Sequence, residues 1–228
     1  SRAFGRAHVE KTIRDFERVA GQGWGCWAFS QHEVERHGSR WAACGRDRQS
    51  FGRFTLALLM ALRGSVCIYQ GEELGLNEGE VAFDQIQDPY GKVFWPEFKG
   101  RDGCRTPMAW QADAPNAGFS SANRTWLPID PAHVGLAAFK GKTENPATLI
   151  DDYRRFIALR RAHEALRTGT IRILDSAGDV LAFERSGGGE TILCVFNFGT
   201  EFADHVLPLA AKGEALASNL ASLNGCGR

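Results

Sequence analysis

Apolar positions in the N-terminal third of the chain recur at two spacings, and their alternation predicts the architecture. Val9, Ile13, Phe16 and Val19 repeat every three or four residues, which predicts an amphipathic helix over about 7–19, stopped by Gly21 and Gly23. Residues 24–29 read as a buried strand that delivers the polar cluster Ser30, Gln31, His32 and Glu33. Asp47 is placed to cap a second helix through about Leu62, with Phe51, Phe54, Leu58, Leu59 and Leu62 on one face and Gly64 at its end. Residues 66–69 form a short predicted strand that also ends in polar residues, Gln70, Gly71, Glu72 and Glu73. Helix, strand, loop, helix, strand is the order of βα units on a parallel sheet. Both polar clusters fall at C-terminal strand ends, where α/β barrels carry their sites.

Beyond Gly75 the periodicity fades until about Pro146, in a stretch rich in glycine, proline, asparagine and tryptophan. So long a stretch without regular elements is expected to carry function. Residues 149–163 read as a helix with Ile150, Tyr153, Ile157 and Leu159 or Leu166 toward a core. After Thr168 the pattern changes to short β-rich runs at 171–174, 180–184, 191–197 and 205–209, separated by glycine turns such as Gly187-Gly188-Gly189. The fold class expected is therefore α/β followed by all-β. Its domains are residues 1–167 and an antiparallel β domain, part of a sandwich, over 168–228, which ends without an obvious closing hairpin.

Charge narrows the function classes. Lysine plus arginine equals aspartate plus glutamate, 27 against 27, so nothing in the balance calls for a nucleic acid or an anionic membrane as partner. No apolar run reaches the roughly 18 residues of a membrane span, and no leader-like segment is recognisable. None of the six cysteines, Cys26, Cys44, Cys67, Cys104, Cys194 and Cys226, is spaced as CxxC. Reduced thiols and a cytoplasmic setting are expected, with Cys26 and Cys67 acting as small hydrophobes inside apolar strands. The six tryptophans suit sugar-ring platforms as well as cores.

Three strings then carry a resemblance. Ala28-Phe29-Ser30-Gln31-His32-Glu33-Val34-Glu35-Arg36 resembles the strand-7 motif of glycoside hydrolase family 13, which has Asn-His-Asp at the central positions and an arginine shortly after. Ile68-Tyr69-Gln70-Gly71-Glu72-Glu73-Leu74-Gly75 resembles the strand-8 motif. RDGCRTPM, Arg101 to Met108, resembles the segment lining the substrate entrance in the α-glucosidase and oligo-1,6-glucosidase branch. The resemblance implies the last strands and helices of a partial (β/α)8 TIM barrel followed by a small antiparallel β-sandwich domain. It implies retaining hydrolysis, or transfer, of α-linked glucosides such as maltose, isomaltose or sucrose, with no cofactor and no metal. Retaining enzymes set a nucleophile and an acid/base carboxylate about 5 Å apart. In this family both come from strands 4 and 5, so the chain is expected to be a C-terminal portion lacking that pair.

The resemblance also assigns roles to individual residues. His32 would hydrogen-bond the glucose at the cleavage position, against the plainer reading of a structural histidine at a strand end. Glu33 occupies the position of the aspartate that stabilises the flattening sugar ring, which makes it the catalytic candidate. Glutamate adds a methylene and moves the carboxylate by about 1 Å, a displacement that can cost on the order of a hundredfold in rate. Gln31 for asparagine is a second lengthening beside it. Arg36 would hold the outer glucose, or else pair with Glu35 at the surface. Arg105 would bridge two sugar hydroxyls, or pair with Asp102. Glu72 reads as a scaffold residue, since it and Glu73 point apart, and Trp110 and Phe94-Trp95 are candidate stacking walls. The alternative to an enzyme piece is a non-catalytic carbohydrate-binding or structural remnant of the same fold, which Gln31 and Glu33 favour.

A barrel without its first six strands leaves strand edges unpaired and its inner face uncovered. The isolated chain is therefore expected to fold poorly or self-associate. A sharp cooperative melt from a species that sediments as a monomer at low concentration contradicts this.

Overall fold

The computed structural model describes residues 4–41, 47–138, 148–203 and 214–217. Helix α1 spans Arg6–Ala20 and strand β1 Cys26–Trp27; a one-turn helix α2, His37–Arg40, precedes helix α3, Arg48–Ala61, and strand β2, Ser65–Val66. β1 and β2 pair in parallel, Cys26 opposite Ser65 and Trp27 opposite Val66. The predicted βα order is thus present with strands of two residues each, because backbone pairing gives way to turns as the chain runs into the two polar clusters. Later elements are α4 Pro89–Val93, α5 Pro131–Val134, α6 Leu149–Ala162, α7 Glu164–Arg167, β3 Thr170–Leu174, β4 Val180–Gly187 and β5 Glu190–Asn197. The chain divides into two compact units, one of Ser1–Trp27, Cys44–Val66 and Tyr153–Arg228, the other of Ala28–Ala43 and Cys67–Asp152.

The first unit is organised around α3. Asp47 caps it as expected, accepting from the Gln49 and Ser50 amides at 3.0 Å each. Burial extends beyond the predicted stripe to Thr55, Leu56, Met60 and Ala61, so α3 is enclosed on nearly all sides. The antiparallel sheet has the order β3-β4-β5, with β4 buried from Val180 to Glu184. Gly188 and Gly189, at φ +61° and +78°, make the two-residue turn between β4 and β5 that only such backbone angles allow. An aromatic cluster joins helix to sheet: Phe54 lies edge-on to Phe196 (5.9 Å) and Phe198 (5.0 Å), and Phe183 stacks on Phe196 (5.6 Å). The strand expected at 205–209 lies outside the described residues, as do Cys44 and Cys226.

Two expectations are corrected here. Val19 is 79% exposed because α1 turns its final residues away from the packed face, where Ile13 is buried. Cys26 and Cys67 are exposed rather than buried, since the side of each strand run that carries them is covered by no described residue.

Two arginines close the C-terminal end of α3. Arg160 donates to the carbonyls of Met60, Leu62 (3.0 Å) and Gly64. Arg185, fully buried on β4, donates to Ala61 (2.6 Å), Thr170 (3.1 Å), Leu166 (3.2 Å) and Gly169 (3.0 Å). A guanidinium at the negative end of a helix satisfies carbonyls that have no amide left to meet them. Burial, and then the charge of Arg160, pulls the Arg185 pKa down to about 10, so it remains charged at neutral pH. At the other side of the sheet Glu190 stands in for an N-cap of α7, accepting from the Ala165 amide (3.1 Å) and pairing with His163 (2.8 Å).

The second unit contains the stretch in which periodicity faded. It is built of single helical turns rather than loop. Asp88 and Asp130 each accept from the amide two residues on, and each is followed by proline at the first helical position of α4 and α5. Val81, Ile86 and Leu127 form one small core with Trp95 packed against it, and Ala109, Ala117 and Ala137 form another. Trp95 is therefore a packing residue.

Replacing Arg185 by methionine strands four carbonyls at once. The expected loss is roughly 3 kcal/mol or more, read as a lower urea midpoint of the full chain. Lysine restores only part of it, lacking the planar fork that reaches several acceptors.

Candidate functional site

In the second unit Asp88 is the residue from which the polar edge is built. Its buried carboxylate accepts from the Arg101 backbone amide (2.8 Å) and takes the Arg101 guanidinium in a two-point grip, Nε at 2.8 Å and Nη2 at 2.9 Å. Asp102, also buried, accepts from the backbone amides of Gln87 (2.6 Å) and Asp88 (2.8 Å). The two neighbours Arg101 and Asp102 thus clasp the start of α4 from both sides. Hydrogen bonds from Arg101 hold the Asp88 carboxyl far below the usual aspartate range, and the same contact raises Arg101. The remaining nitrogen, Arg101 Nη1, faces Glu33 Oε1 at 3.5 Å.

Glu33 sits in a tight turn, Gln31 to Val34, in which the Val34 amide reaches the Gln31 carbonyl at 3.4 Å. A turn at this point leaves the Gln31, His32 and Glu33 side chains exposed. Arg105 fixes it from the second segment: its Nε donates to the His32 carbonyl at 2.7 Å. The alternative to sugar contact, an ion pair of Arg105 with Asp102, is not the arrangement found, since the Asp102 bonds go to backbone amides. Glu33, Arg101, Arg105 and the His32 turn therefore meet on one edge, brought together from positions about 70 residues apart in sequence.

Arg36 does not join them. It is 1% exposed and donates to the carbonyls of Gln70 (2.6 Å) and Cys104 (3.1 Å), with its guanidinium 5.0 Å over the Tyr69 ring. Its amide is held by the half-buried Glu78 carboxylate at 2.8 Å, and burial of the guanidinium pulls the Arg36 pKa down. Neither sugar contact nor a surface pair with Glu35 matches this placement, because carbonyls and an aromatic face already absorb the charge. Arg36 is the pin between the two motif strings and RDGCRTPM. Beneath it His37 Nδ1 lies 2.8 Å from Ser30 Oγ and 3.4 Å from the buried Glu72. Glu73 instead accepts from the Gly71 amide at 2.9 Å, so the two adjacent glutamates do point apart, here from a 3-10 turn over Glu72–Leu74.

Chemically the edge offers an exposed carboxylate, an exposed imidazole and two guanidinium groups. That mixture of acceptors and donors suits a polyhydroxylated ligand. Cys104 supplies no nucleophile: burial pushes its thiol up to about 11. No group of metal ligands occurs among the described residues, and no helix there is long and apolar enough to cross a membrane. Sequence reasoning missed Asp88 and the central place of Arg101. The signal available was the Asp-Pro helix start at Asp88-Pro89.

Comparison with known proteins follows the same lines. The family model for the alpha amylase catalytic domain matches residues 3–169. A probable alpha-glucosidase of Rhizobium meliloti (strain 1021) is 49% identical over 201 residues, 88% of this chain and 36% of that protein. An oligo-1,6-glucosidase of Parageobacillus thermoglucosidasius is 28% identical, over 90% of this chain and 41% of its own length. Among solved structures, the alpha-glucosyl transfer enzyme XgtA has a TM-score of 0.79 at 45% identity, covering 86% of this chain and 36% of its own. Isomaltulose synthase from Erwinia rhapontici NX5, a mutant in complex with its natural substrate sucrose, has a TM-score of 0.77 at 27% identity, covering 91% and 40%. The chain thus spans about two-fifths of the length of the curated relatives it matches.

Losing the Asp88 carboxylate should free both α4 and Arg101. In Asp88→Ala, amide exchange over 85–105 is expected to accelerate at neutral pH with little change elsewhere. In the unsubstituted chain the depressed pKa keeps this clasp intact as pH falls through the ordinary aspartate range, and loosening begins only well below it. Equal protection in the two proteins at neutral pH contradicts the assignment.

Proposed function

Since the chain belongs to the α-amylase family, we propose that it forms part of an enzyme that hydrolyses α-linked glucosides, or transfers the glucosyl group, with retention. In this reading it contributes the C-terminal part of a partial (β/α)8 barrel, and the nucleophile and acid/base lie on strands outside these residues. The observation that carries it is the meeting of Glu33, Arg101 and Arg105 beside the His32 turn.

Glu33 is the carboxylate that stabilises positive charge as the sugar ring flattens toward an oxocarbenium ion. His32 hydrogen-bonds the glucose being cleaved, and Arg105 both braces the turn and faces the saccharide. Arg36 acts from within, holding the two motif strings in register. Substrates of the class of maltose, isomaltose or sucrose fit this reading. Relatives named as alpha-glucosidase and oligo-1,6-glucosidase, and the sucrose complex of isomaltulose synthase, support that class.

A second reading is a non-catalytic saccharide-binding remnant. The observation in its favour is that Glu33, longer than the family's aspartate, is drawn toward Arg101.

The 228 residues are expected to bind maltose or isomaltose without turning either over, and Glu33→Gln to weaken that binding severalfold. The chain extended upstream is expected to release glucose in the α configuration, seen by NMR, with kcat reduced by roughly a hundredfold or more in Glu33→Gln. Turnover by the present chain alone defeats the placement of the catalytic pair. Binding by an extended chain that never turns over points to the remnant.

A further inference from the structure

Exposed aromatic rings cluster beside the candidate site. Among the described residues, 13 large hydrophobic side chains are exposed, and five of them, Phe83, Tyr90, Val93, Phe94 and Phe98, fall within 83–98. Tyr90 and Phe94, one helical turn apart, are 57% and 53% exposed with ring planes parallel to within 9° and centroids 6.5 Å apart. Arg101 lies over the Tyr90 ring at 5.2 Å. The same guanidinium touches Glu33 and is gripped by Asp88, the cap of α4. The rings, Arg101 and Asp88 are thus parts of one assembly, with Glu33 at its edge.

The assembly is built into the backbone. A Cβ at Gly91 would stand 2.6 Å from the Lys99 carbonyl, so α4 is pressed directly onto the strand of chain leading to Arg101. Close approach of this kind fixes the distance from the rings to the Glu33–Arg101 edge. Exposed aromatic faces held still carry a solvation cost with no packing return, which marks a surface that meets something.

We propose that Tyr90 and Phe94 form a stacking platform for the second ring of an α-glucoside, the ring on the far side of the bond from the glucose held at Glu33. The inference rests on the α-glucoside reading above and names where its outer sugar lies. A pyranose presents an apolar C–H face and a rim of hydroxyls. Parallel aromatic rings with a carboxylate and a guanidinium beside them match both features at once.

The test titrates glucose and maltose separately into the full chain, followed by saturation-transfer NMR and calorimetry. Maltose is expected to bind several-fold more tightly than glucose. Phe94→Ala, which leaves the Arg101 contact with Tyr90 in place, should weaken maltose by about three- to tenfold and leave glucose unchanged, and Tyr90→Ala should weaken maltose by at least as much. Tyr90→Trp should retain maltose binding, and circular dichroism establishes that each variant is folded. Equal affinity for both sugars, or maltose binding indifferent to both alanine variants while Glu33→Gln still weakens glucose, overturns the platform and leaves the site reading standing. Self-association abolished by Phe94→Ala with maltose binding untouched identifies a protein contact and also overturns it. Failure of the unsubstituted chain, shown by circular dichroism to be folded, to bind either sugar overturns both.

Discussion

The second unit depends on an ion pair whose carboxylate, Asp88, is buried and fully committed while its partner Arg101 keeps one nitrogen toward the surface. Asp88 gives its two carboxylate oxygens to the cap of α4, to the Arg101 amide and to two nitrogens of the Arg101 side chain. A buried carboxylate is costly unless every lone pair is met, and here the meeting groups come from both ends of the segment 88–101. The pair therefore closes a loop as well as neutralising a charge. Whatever α4 carries and whatever Arg101 touches are placed by the same bond.

Arginine does comparable service elsewhere, with carbonyls in place of carboxylates. Arg160 and Arg185 meet the exposed carbonyls at the end of α3 in the first unit. Arg36 does so for Gln70 and Cys104 in the second. In each case burial lowers the pKa, the sign that desolvation is the dominant cost, yet the group stays charged because several dipoles converge on it. Fixed backbone acceptors arranged around a planar fork give orientation that a flexible carboxylate partner would not. These arginines define where segments lie. The ones at the site edge, Arg101 and Arg105, are those that reach the turn carrying His32 and Glu33.

How much of this was legible depends on how each element is held. Helices α1, α3 and α6 and strands β3 to β5 were readable to within a few residues because burial repeats along them and repetition is what a pattern can show. The one-turn helices of 72–134 were not, because each is held by a single cap or carboxylate rather than by a stripe. Asp88-Pro89 and Asp130-Pro131 were the local marks of the starts of α4 and α5. Among site residues, the strings around His32 and Arg105 stood out through their resemblance to a family, and the structure does bring those two strings together. Arg36 misled because an arginine in a polar string reads as solvated, and its partners are backbone carbonyls, which leave no trace in side-chain sequence. The Asp88–Arg101 pair was invisible for a related reason: the two stand thirteen positions apart, across α4 and the irregular chain after it, and no spacing rule joins them.

The distances around Arg101 also bear on what a glutamate does where the family has an aspartate. Nε and Nη2 are spent on Asp88 at 2.8 and 2.9 Å, and only Nη1 is left for Glu33, at 3.5 Å. That separation is at the limit of a hydrogen bond, and the Glu33 side chain is 54% exposed, so solvent competes with the contact. An arginine already neutralised by a buried aspartate exerts less pull on a second carboxylate than a free one. The extra methylene of Glu33 thus brings its carboxylate within reach of Arg101 without locking it there. Orientation is gained while the charge remains available to a ligand, the combination that the role proposed for Glu33 requires.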